Sequence, residues 1–250
     1  MDVRSRRRAL AQTVRDGHEI PVRELAARLG CSEMTVRRDL DALERDGVLR
    51  RVHGGAVGVS LRADEVPYGV RVFEAADAKE RIGRAVAALI ADGETVALDS
   101  GTTTAEVARV LRGRAVTILP LGLRTLVDLA HDEQVHLIAP GGDVRSGELV
   151  VTGDLAEVAF ERRRFDTFVL GCCGIDPLQG VTTHVPADAR VKRAAVTASR
   201  RTIAVADASK LGEVAFGHVC GIEALERLIT DADTDAVVAL QGAGLRVDRV

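Results

Sequence analysis

Hydrophobic residues recur at helical spacing near the start of the chain and mark the buried faces of two short segments. Steps of three and four residues relate the apolar positions, which are Val22, Leu25, Ala26 and Leu29 in the first segment and Val36, Leu40 and Leu43 in the second. Pro21 suits the first position of a helix, Gly30 can end that helix in a left-handed conformation, and Ser32 is a favourable N-cap for the next. The pattern predicts a helix, a tight turn and a second helix.

The flanking sequence extends this pair of helices into a larger motif. Residues 5–16 have helical periodicity and predict a helix that completes a three-helix core. Beyond the second helix, Gly54-Gly55 separates the β-prone runs 48–53 and 56–59 and predicts a two-residue hairpin. A helix-turn-helix followed by a hairpin is the order of a winged helix. The alternative is an ordinary helical hairpin whose arginines are solvated.

From Ala76 onwards, short apolar runs alternate with helical segments. The runs predict strands at 95–98, 115–119, 135–139, 165–170, 202–206, 228–230 and 245–247, and the helical segments are 79–90, 103–111, 123–130, 155–161, 188–199 and 235–240. This alternation is typical of a mostly parallel sheet covered on both faces. We therefore expect an α/β protein with a winged helix-turn-helix over residues 1–60, a linker over 61–76 and a larger domain over 77–250.

Ligands bind beyond the carboxyl ends of the strands in such a sheet, so the residues that follow each strand carry the candidate chemistry. Residues 99–104, Asp-Ser-Gly-Thr-Thr-Thr, lead into a helix whose free N–H groups and hydroxyls can cradle an anion. A hydroxyl-rich N-cap in an ordinary turn is equally consistent with them. The glycines in 140–142 and 171–174 permit close backbone approach, and Lys210 can pair with a phosphate. Lys192 lies in mid-helix, where a solvated lysine is the simpler interpretation.

Composition narrows the classes of protein further. The chain of 250 residues is 46% hydrophobic and 28% charged, which is typical of a globular protein. No apolar run approaches the length of about 20 residues that spans a bilayer, and no apolar region follows the basic N-terminus, so we expect a cytoplasmic protein without membrane contact. The cysteines form no C-x-x-C pair, which disfavours a metal site and a disulfide framework: Cys31, Cys172, Cys173 and Cys220.

Charge is distributed unevenly between the two halves. Residues 1–60 hold twelve Arg and nine Asp or Glu, a net charge of +3, whereas residues 61–250 have a net charge of −6. A basic head on an acidic body fits a nucleic-acid-binding module joined to a separate domain. Because the excess is modest, the helix-turn-helix pattern is the stronger indication.

The runs CSEMTVRRDL at 31–40 and GVLRRVHGGA at 47–56 resemble the DNA-binding signature of DeoR-type bacterial transcriptional regulators. The resemblance covers almost the whole chain. It implies a regulator of double-stranded operator DNA, more often a repressor, acting as a homo-oligomer, a dimer or a tetramer. The candidate DNA-binding residues on the second helix and the wing are Ser32, Thr35, Arg37, Arg38, Arg50, Arg51 and His53.

The second half resembles the sensor domain of the same regulators, whose fold is similar to that of ribose-phosphate isomerases. The resemblance implies a phosphorylated sugar or a related metabolite as effector, with no cofactor. The candidate effector-binding residues are Asp99, Gly101, Thr102, Thr103, Thr104, Gly141, Gly142, Gly171, Lys192, Asp207 and Lys210. Two positions depart from the family pattern: Pro120-Leu121 stands where Thr-Asn is usual, and Asp188 precedes Lys192 where a Glu is common.

Two other functions compete with a repressor of sugar or carbohydrate metabolism genes. One is a sugar-phosphate isomerase with a helical appendage, which needs a positioned carboxylate base, and Asp99 is the carboxylate next to the predicted cradle. Because no paired acid and base accompany it, we expect no catalysis. The other is a metal or redox sensor built on Cys172, Cys173 and His184, which adjacent cysteines disfavour because they do not easily bind one ion.

Overall fold

The structure, a computed structural model, describes residues 1–14, 20–45, 47–52, 55–58 and 66–250. These residues form two compact units, Met1–Ala76 and Asp77–Val250. None of the helices within the described ranges has the length and apolar character that a bilayer span requires.

The N-terminal unit consists of three main helices and a small antiparallel sheet. Its elements are α1 (Val3–Val14), β1 (Ile20–Pro21), α2 (Val22–Leu29), α3 (Glu33–Arg45), β2 (Leu49–Val52), β3 (Gly55–Gly58) and α4 (Tyr68–Arg71), with the strands in the order β1-β3-β2. Gly30 ends α2 at φ 62°, and the Ser32 hydroxyl accepts a hydrogen bond from the Thr35 amide at 3.1 Å to cap α3. Leu10, Leu25 and Leu40 meet in a fully buried core.

The predicted hairpin is present, but Gly55 belongs to one of its strands and not to its turn. Val52 pairs with Gly55, and Gly54 lies outside the described residues. Gly55 is a strand residue because it also pairs with Pro21 of β1. A Cβ at this position would lie 2.6 Å from the Ile20 carbonyl oxygen, so only glycine fits between the strands.

The described part of the predicted linker is ordered against the N-terminal core. Within residues 66–76, α4 forms one helical turn, and Val70 and Phe73 pack against that core. The Arg71 Nε group donates to the Val66 carbonyl at 2.8 Å. Two apolar residues three positions apart are enough for a single turn to pack, but too few to give a periodic signal in the sequence.

The C-terminal unit is built on a seven-stranded sheet. Its strand order is β15-β14-β12-β9-β4-β5-β6, and every neighbouring pair is parallel. These strands are β4 (Thr95–Leu98), β5 (Thr117–Pro120), β6 (His136–Leu137), β9 (Phe165–Gly171), β12 (Ser199–Val205), β14 (Arg227–Thr230) and β15 (Val247–Arg249). The predicted mostly parallel α/β architecture is confirmed.

Helices cover both faces of this sheet. They are α5 (Ala76–Ala87), α6 (Thr102–Leu111), α7 (Leu123–Leu129), α8 (Asp154–Glu161), α9 (Pro186–Ala198) and α10 (Asp235–Gly242). Val96 and Leu98 point to the side of α5, α6 and α7, whereas Ala97 between them points to the side of α8, α9 and α10. Two separate apolar cores result, one on each face.

Two small antiparallel elements were not predicted from the sequence. One is the hairpin of β7 (Asp143–Arg145) and β8 (Val150–Thr152), and the other is the sheet of β10 (Gly174–Asp176), β11 (Gly180–Thr183) and β13 (Gly217–Cys220). Their three- and four-residue strands are too short for hydrophobic periodicity to show.

Candidate nucleic-acid interface and effector site

The exposed face of α3 carries the residues predicted to meet DNA. Ser32 and Thr35 share a hydrogen bond between their hydroxyls at 2.9 Å in the first turn. Arg37 and Arg38 are both exposed. Arg37 forms an ion pair with Glu33 at 3.5 Å, and the side chains of both partners are exposed. Arg38 makes no hydrogen bond or ion pair with the residues that the structure describes. The exposed side of α3 therefore carries two guanidinium groups.

A buried carboxylate that the sequence pattern did not reveal fixes the orientation of α3. Asp39 is only 3% exposed and accepts hydrogen bonds from Arg6 Nε at 2.6 Å and Arg7 Nε at 3.0 Å. The hydrogen bond to Asp39 raises the pKa of Arg6. The ion pairs of Asp39 with Arg6 and Arg7 join α3 to α1. Because Asp39 is next to Arg38 on α3, they also fix the direction in which the exposed side of α3 faces. The signal in the sequence was an acidic residue on the apolar side of a predicted helix.

The two arginines of the wing differ in their surroundings. Arg50 is exposed, and its side chain makes no hydrogen bond or ion pair with the described residues. The Arg51 guanidinium forms an ion pair with Asp41, and the Arg51 amide donates to Glu44 Oε1 at 2.7 Å, so Arg51 ties the wing to α3. His53, the remaining candidate on the wing, lies outside the described residues.

Asp99 and Gly171 meet at the point where the order of the parallel sheet reverses. From β4 the chain proceeds to β5 and β6 on one side, and β9 lies on the other. Asp99 follows β4 and is fully buried, and its Oδ2 accepts a hydrogen bond from the Gly171 amide at the end of β9 at 3.0 Å. Its Oδ1 accepts from the Ser100 amide at 2.7 Å. This is the position where open α/β sheets bind their ligands.

Lys192 of α9 completes this cluster. Its Nζ lies 2.7 Å from Asp99 Oδ2 and donates to the Gly171 carbonyl at 3.1 Å, and the residue is 5% exposed. The interpretation of Lys192 as a solvated lysine is therefore wrong, because its partner is distant in sequence. Burial favours the neutral amine, but the charge of Asp99 outweighs it and raises the pKa of Lys192.

The threonine-rich loop forms the start of α6. Gly101 has a φ of 131°, which favours glycine, and precedes the first helical residue. Thr102 and Thr104 are buried, and the Thr104 hydroxyl donates to the Gly101 carbonyl at 3.1 Å, whereas Thr103 is half-buried. The N-terminal amides of α6 and the positive end of its dipole thus lie next to the Asp99 cluster.

Asp207 follows β12, the neighbour of β9, and is part of a second buried ion pair. Its Oδ1 accepts hydrogen bonds from the Ser209 amide at 3.1 Å and the Ser209 hydroxyl at 2.5 Å. Lys79 Nζ lies 3.8 Å from Asp207 Oδ2, and both side chains are buried. Lys79 was not among the predicted site residues. Lys210 is half-buried in the same short turn.

Gly141 and Gly142 have neighbours other than the Asp99 cluster. A Cβ at Gly141 would touch Leu155, and one at Gly142, where φ is 132°, would lie 2.2 Å from the Thr152 carbonyl oxygen. Gly142 therefore allows the chain to approach β8 closely, whereas Gly141 lies against α8. Of the pair Pro120-Leu121, which departs from the family pattern, Leu121 is buried in the core. The next residue, Gly122, approaches Ser100.

The structure brings Arg145 and Asp188 together, although neither was predicted as a site residue. Arg145 Nη2 donates to Asp188 Oδ2 at 2.9 Å, which joins the β7–β8 hairpin to the first turn of α9. Asp188 is 6% exposed and precedes Lys192 by one helical turn. An acidic residue and a lysine at this spacing on a predicted helix were visible in the sequence, but the arginine partner was not.

The adjacent cysteines contact different groups. Cys172 Sγ donates to the Val205 carbonyl at 3.6 Å, and Cys173 Sγ lies 3.6 Å from the Thr183 hydroxyl. Burial raises the pKa of the Cys172 thiol to about 12. Across the described ranges, no three His, Cys, Asp or Glu side chains are grouped so that they could hold a metal ion.

Comparison with known domains identifies both halves of the chain. Residues 6–61 match the DeoR-like helix-turn-helix domain, and residues 74–232 match the DeoR C terminal sensor domain. The chain belongs to the DeoR family. It is a DNA-binding transcriptional regulator, and the family resemblance that the sequence motifs suggested is confirmed.

Relatives of this DeoR-family chain align over nearly its whole length. The HTH-type transcriptional regulator GlpR of Haloferax volcanii is 34% identical over 97% of this chain and 96% of that protein. The glycerol-3-phosphate regulon repressor of Escherichia coli K12 is 30% identical over 91% of this chain and 90% of that protein. A ribose 5-phosphate isomerase A of Methanocaldococcus jannaschii is similar over 55% of each chain, with a TM-score of 0.42 and 14% identity, which is too distant to bear on activity.

Proposed function

We propose that this protein represses a carbohydrate operon, binding operator DNA through α3 and the wing, and leaves the DNA when a phosphorylated sugar binds at the strand ends of the C-terminal unit. The observation that carries the DNA-binding part is the exposed pair Arg37 and Arg38 on α3. In contrast, Arg6, Arg7 and Arg51 are held in ion pairs within the unit. The candidate DNA contacts are thus Ser32, Thr35, Arg37, Arg38 and Arg50.

The proposed effector site lies at the reversal point of the sheet. The N-terminus of α6, from Gly101 to Thr104, offers amides and a positive dipole end to a phosphate. Lys210 can pair with the same phosphate. Asp99, Gly171 and Lys192 form the buried base of the site. Among the relatives, a repressor of a glycerol-3-phosphate regulon supports a phosphorylated metabolite as the class of effector.

The isomerase alternative has less support. The family consists of transcriptional regulators, and both oxygens of Asp99 are engaged by Lys192 and two backbone amides. A general base needs an oxygen that can reach the substrate proton. We therefore infer that the site binds a sugar phosphate without converting it, and that two or four copies act together on paired half-sites.

Substitution on α3 tests the DNA-binding part. In fluorescence anisotropy with a duplex selected by the wild-type protein from a random library, Arg37→Ala or Arg38→Ala should weaken binding by about 5-fold to 150-fold, the loss expected for one base or phosphate contact. Arg109→Ala, which removes an exposed arginine of the C-terminal unit, is the matched control and should change nothing. Unchanged affinity in both α3 variants would refute the assignment of this face.

A further inference from the structure

Among the residues that the structure describes, the carboxylate of Asp188 has a hydrogen-bond partner on only one of its two oxygens. Oδ2 accepts the hydrogen bond from Arg145 Nη2 at 2.9 Å. Oδ1 is buried and has no hydrogen-bond partner among the residues that the structure describes. Leaving a buried acceptor without a donor is costly, more so when it belongs to a charged group. A donor that completes this oxygen therefore has a large energetic advantage.

Lys192, one turn further along α9, has an N–H donor that lacks an acceptor among the described residues. An ammonium group carries three N–H donors. The described residues give Lys192 two acceptors, Asp99 Oδ2 at 2.7 Å and the Gly171 carbonyl at 3.1 Å. Residues four apart on a helix lie side by side, and Asp188 is close enough to Lys192 and Asp99 for its charge to act on both. One acceptor and one donor thus remain one helical turn apart on α9.

A hydroxyl is the group that matches this pair. It donates one hydrogen bond and accepts others, whereas a phosphate oxygen or a carbonyl only accepts and would be repelled or left unpaired by Asp188. We propose that Asp188 is a specificity-determining residue that accepts a hydrogen bond from a sugar hydroxyl, whose oxygen accepts one from Lys192. The proposal rests on the proposed function, because it assumes that a phosphorylated sugar binds in the C-terminal unit.

The effector expected from this geometry is polyhydroxylated as well as phosphorylated. Its phosphate would lie at the N-terminus of α6, and one hydroxyl would lie between Asp188 and Lys192. An analogue without that hydroxyl restores the unpaired Asp188 oxygen and loses a hydrogen bond to a charged group. We expect it to bind about 10-fold to 100-fold more weakly.

The test compares each sugar phosphate with its deoxy analogues on the full-length protein. Calorimetric titration would use ribose 5-phosphate, glucose 6-phosphate and fructose 6-phosphate, their available deoxy forms, and inorganic phosphate as the ligand without hydroxyl groups on carbon. Wild-type protein should prefer at least one sugar phosphate over one deoxy form by about 10-fold or more. Asp188→Ala removes the acceptor and should reduce that ratio towards one, and Asp188→Asn, whose amide oxygen still accepts but carries no charge, should lower it in part.

Controls separate this role from a structural one. Arg190→Ala changes an exposed residue two positions away on the same helix and should keep the wild-type ratio. Asp188→Asn retains the shape of the side chain, so it keeps the test valid where Asp188→Ala loses too much stability; circular dichroism would confirm folding. A loss of folding alone would lower both affinities together and leave their ratio unchanged.

The outcomes distinguish the two levels of the proposal. Binding of sugar phosphates with a ratio that Asp188 variants do not alter would overturn the role of Asp188 and leave the proposed function intact. Binding of no sugar phosphate beyond inorganic phosphate would overturn both. A ratio that falls in both Asp188 variants and persists in Arg190→Ala is the result that the geometry predicts.

Discussion

Replacing Lys192 by methionine should destabilise the C-terminal unit by about 3–5 kcal/mol, the cost of removing one partner from a buried ion pair. Asp99 is fully buried, and its counter-ion lies 2.7 Å away. The amides of Ser100 and Gly171 would still donate to the isolated carboxylate, which argues for the lower end of that range. Methionine has a similar length, so the loss reflects the charge rather than a cavity.

Urea unfolding followed by far-UV circular dichroism measures this cost. The chain has no tryptophan and a single tyrosine, Tyr68, whose emission reports on the N-terminal unit separately. Arg190→Met on the same helix removes the surface ion pairs of Arg190 with Asp154 and Glu157 and should cost about 0.2–1 kcal/mol. A Lys192→Met cost no larger than that of Arg190→Met would refute the reasoning.

The pH dependence of the Lys192→Met cost provides a second check. Burial already raises the pKa of Asp99 while the charge of Lys192 opposes that rise, so the pKa of Asp99 should be higher still in the variant. The deficit should therefore be largest near neutral pH and shrink as the pH falls to about 3, below the ordinary pKa of about 3.9, where Asp99 is mostly protonated in both folded and unfolded chains. A deficit that is constant over this range would indicate a packing defect instead.

Two other substitutions test the fold. Gly55→Ala places a Cβ 2.6 Å from the Ile20 carbonyl and should destabilise the N-terminal unit by about 1–3 kcal/mol, measured by tyrosine emission in urea; an unchanged midpoint would contradict the close approach. Asp166 accepts hydrogen bonds from the amide and hydroxyl of Thr95, which lower its pKa below 3.8, so its contribution to stability is complete above that pH and is lost as the pH falls further. Asp166→Asn should be less stable than wild type at pH 7, and the difference should shrink as the pH falls below 3.8; a difference that does not change with pH would exclude this linkage.

The sequence was most informative where an element carries a strong local pattern. The strand Thr95–Leu98 was predicted with its observed bounds, because its apolar run ends at an acidic residue and a glycine turn. Ser32 caps α3 as expected, since a hydroxyl at an N-cap needs only the amides of the next turn. The winged helix and the parallel sheet could therefore be predicted from patterns that each lie within one short segment of the chain.

The site was less predictable because its contacts join distant parts of the chain. Nothing around Lys192 indicates that its partner is Asp99 at the end of another strand. The ion pair of Arg145 with Asp188 depends on a hairpin whose strands have three residues each, too short to show a period. Local spacing placed the Gly101 turn at a strand end, whereas the buried charges around it required the folded topology.

We expect a phosphorylated sugar and operator DNA to weaken each other's binding to this protein. Fluorescence anisotropy of the selected duplex, repeated with saturating amounts of each sugar phosphate that binds in calorimetry, tests it most directly. By linkage, the effector should raise the apparent Kd for DNA by about 5-fold to 150-fold, and DNA should weaken effector binding by the same factor. DNA affinity that stays unchanged in the presence of every sugar phosphate that binds would contradict the account.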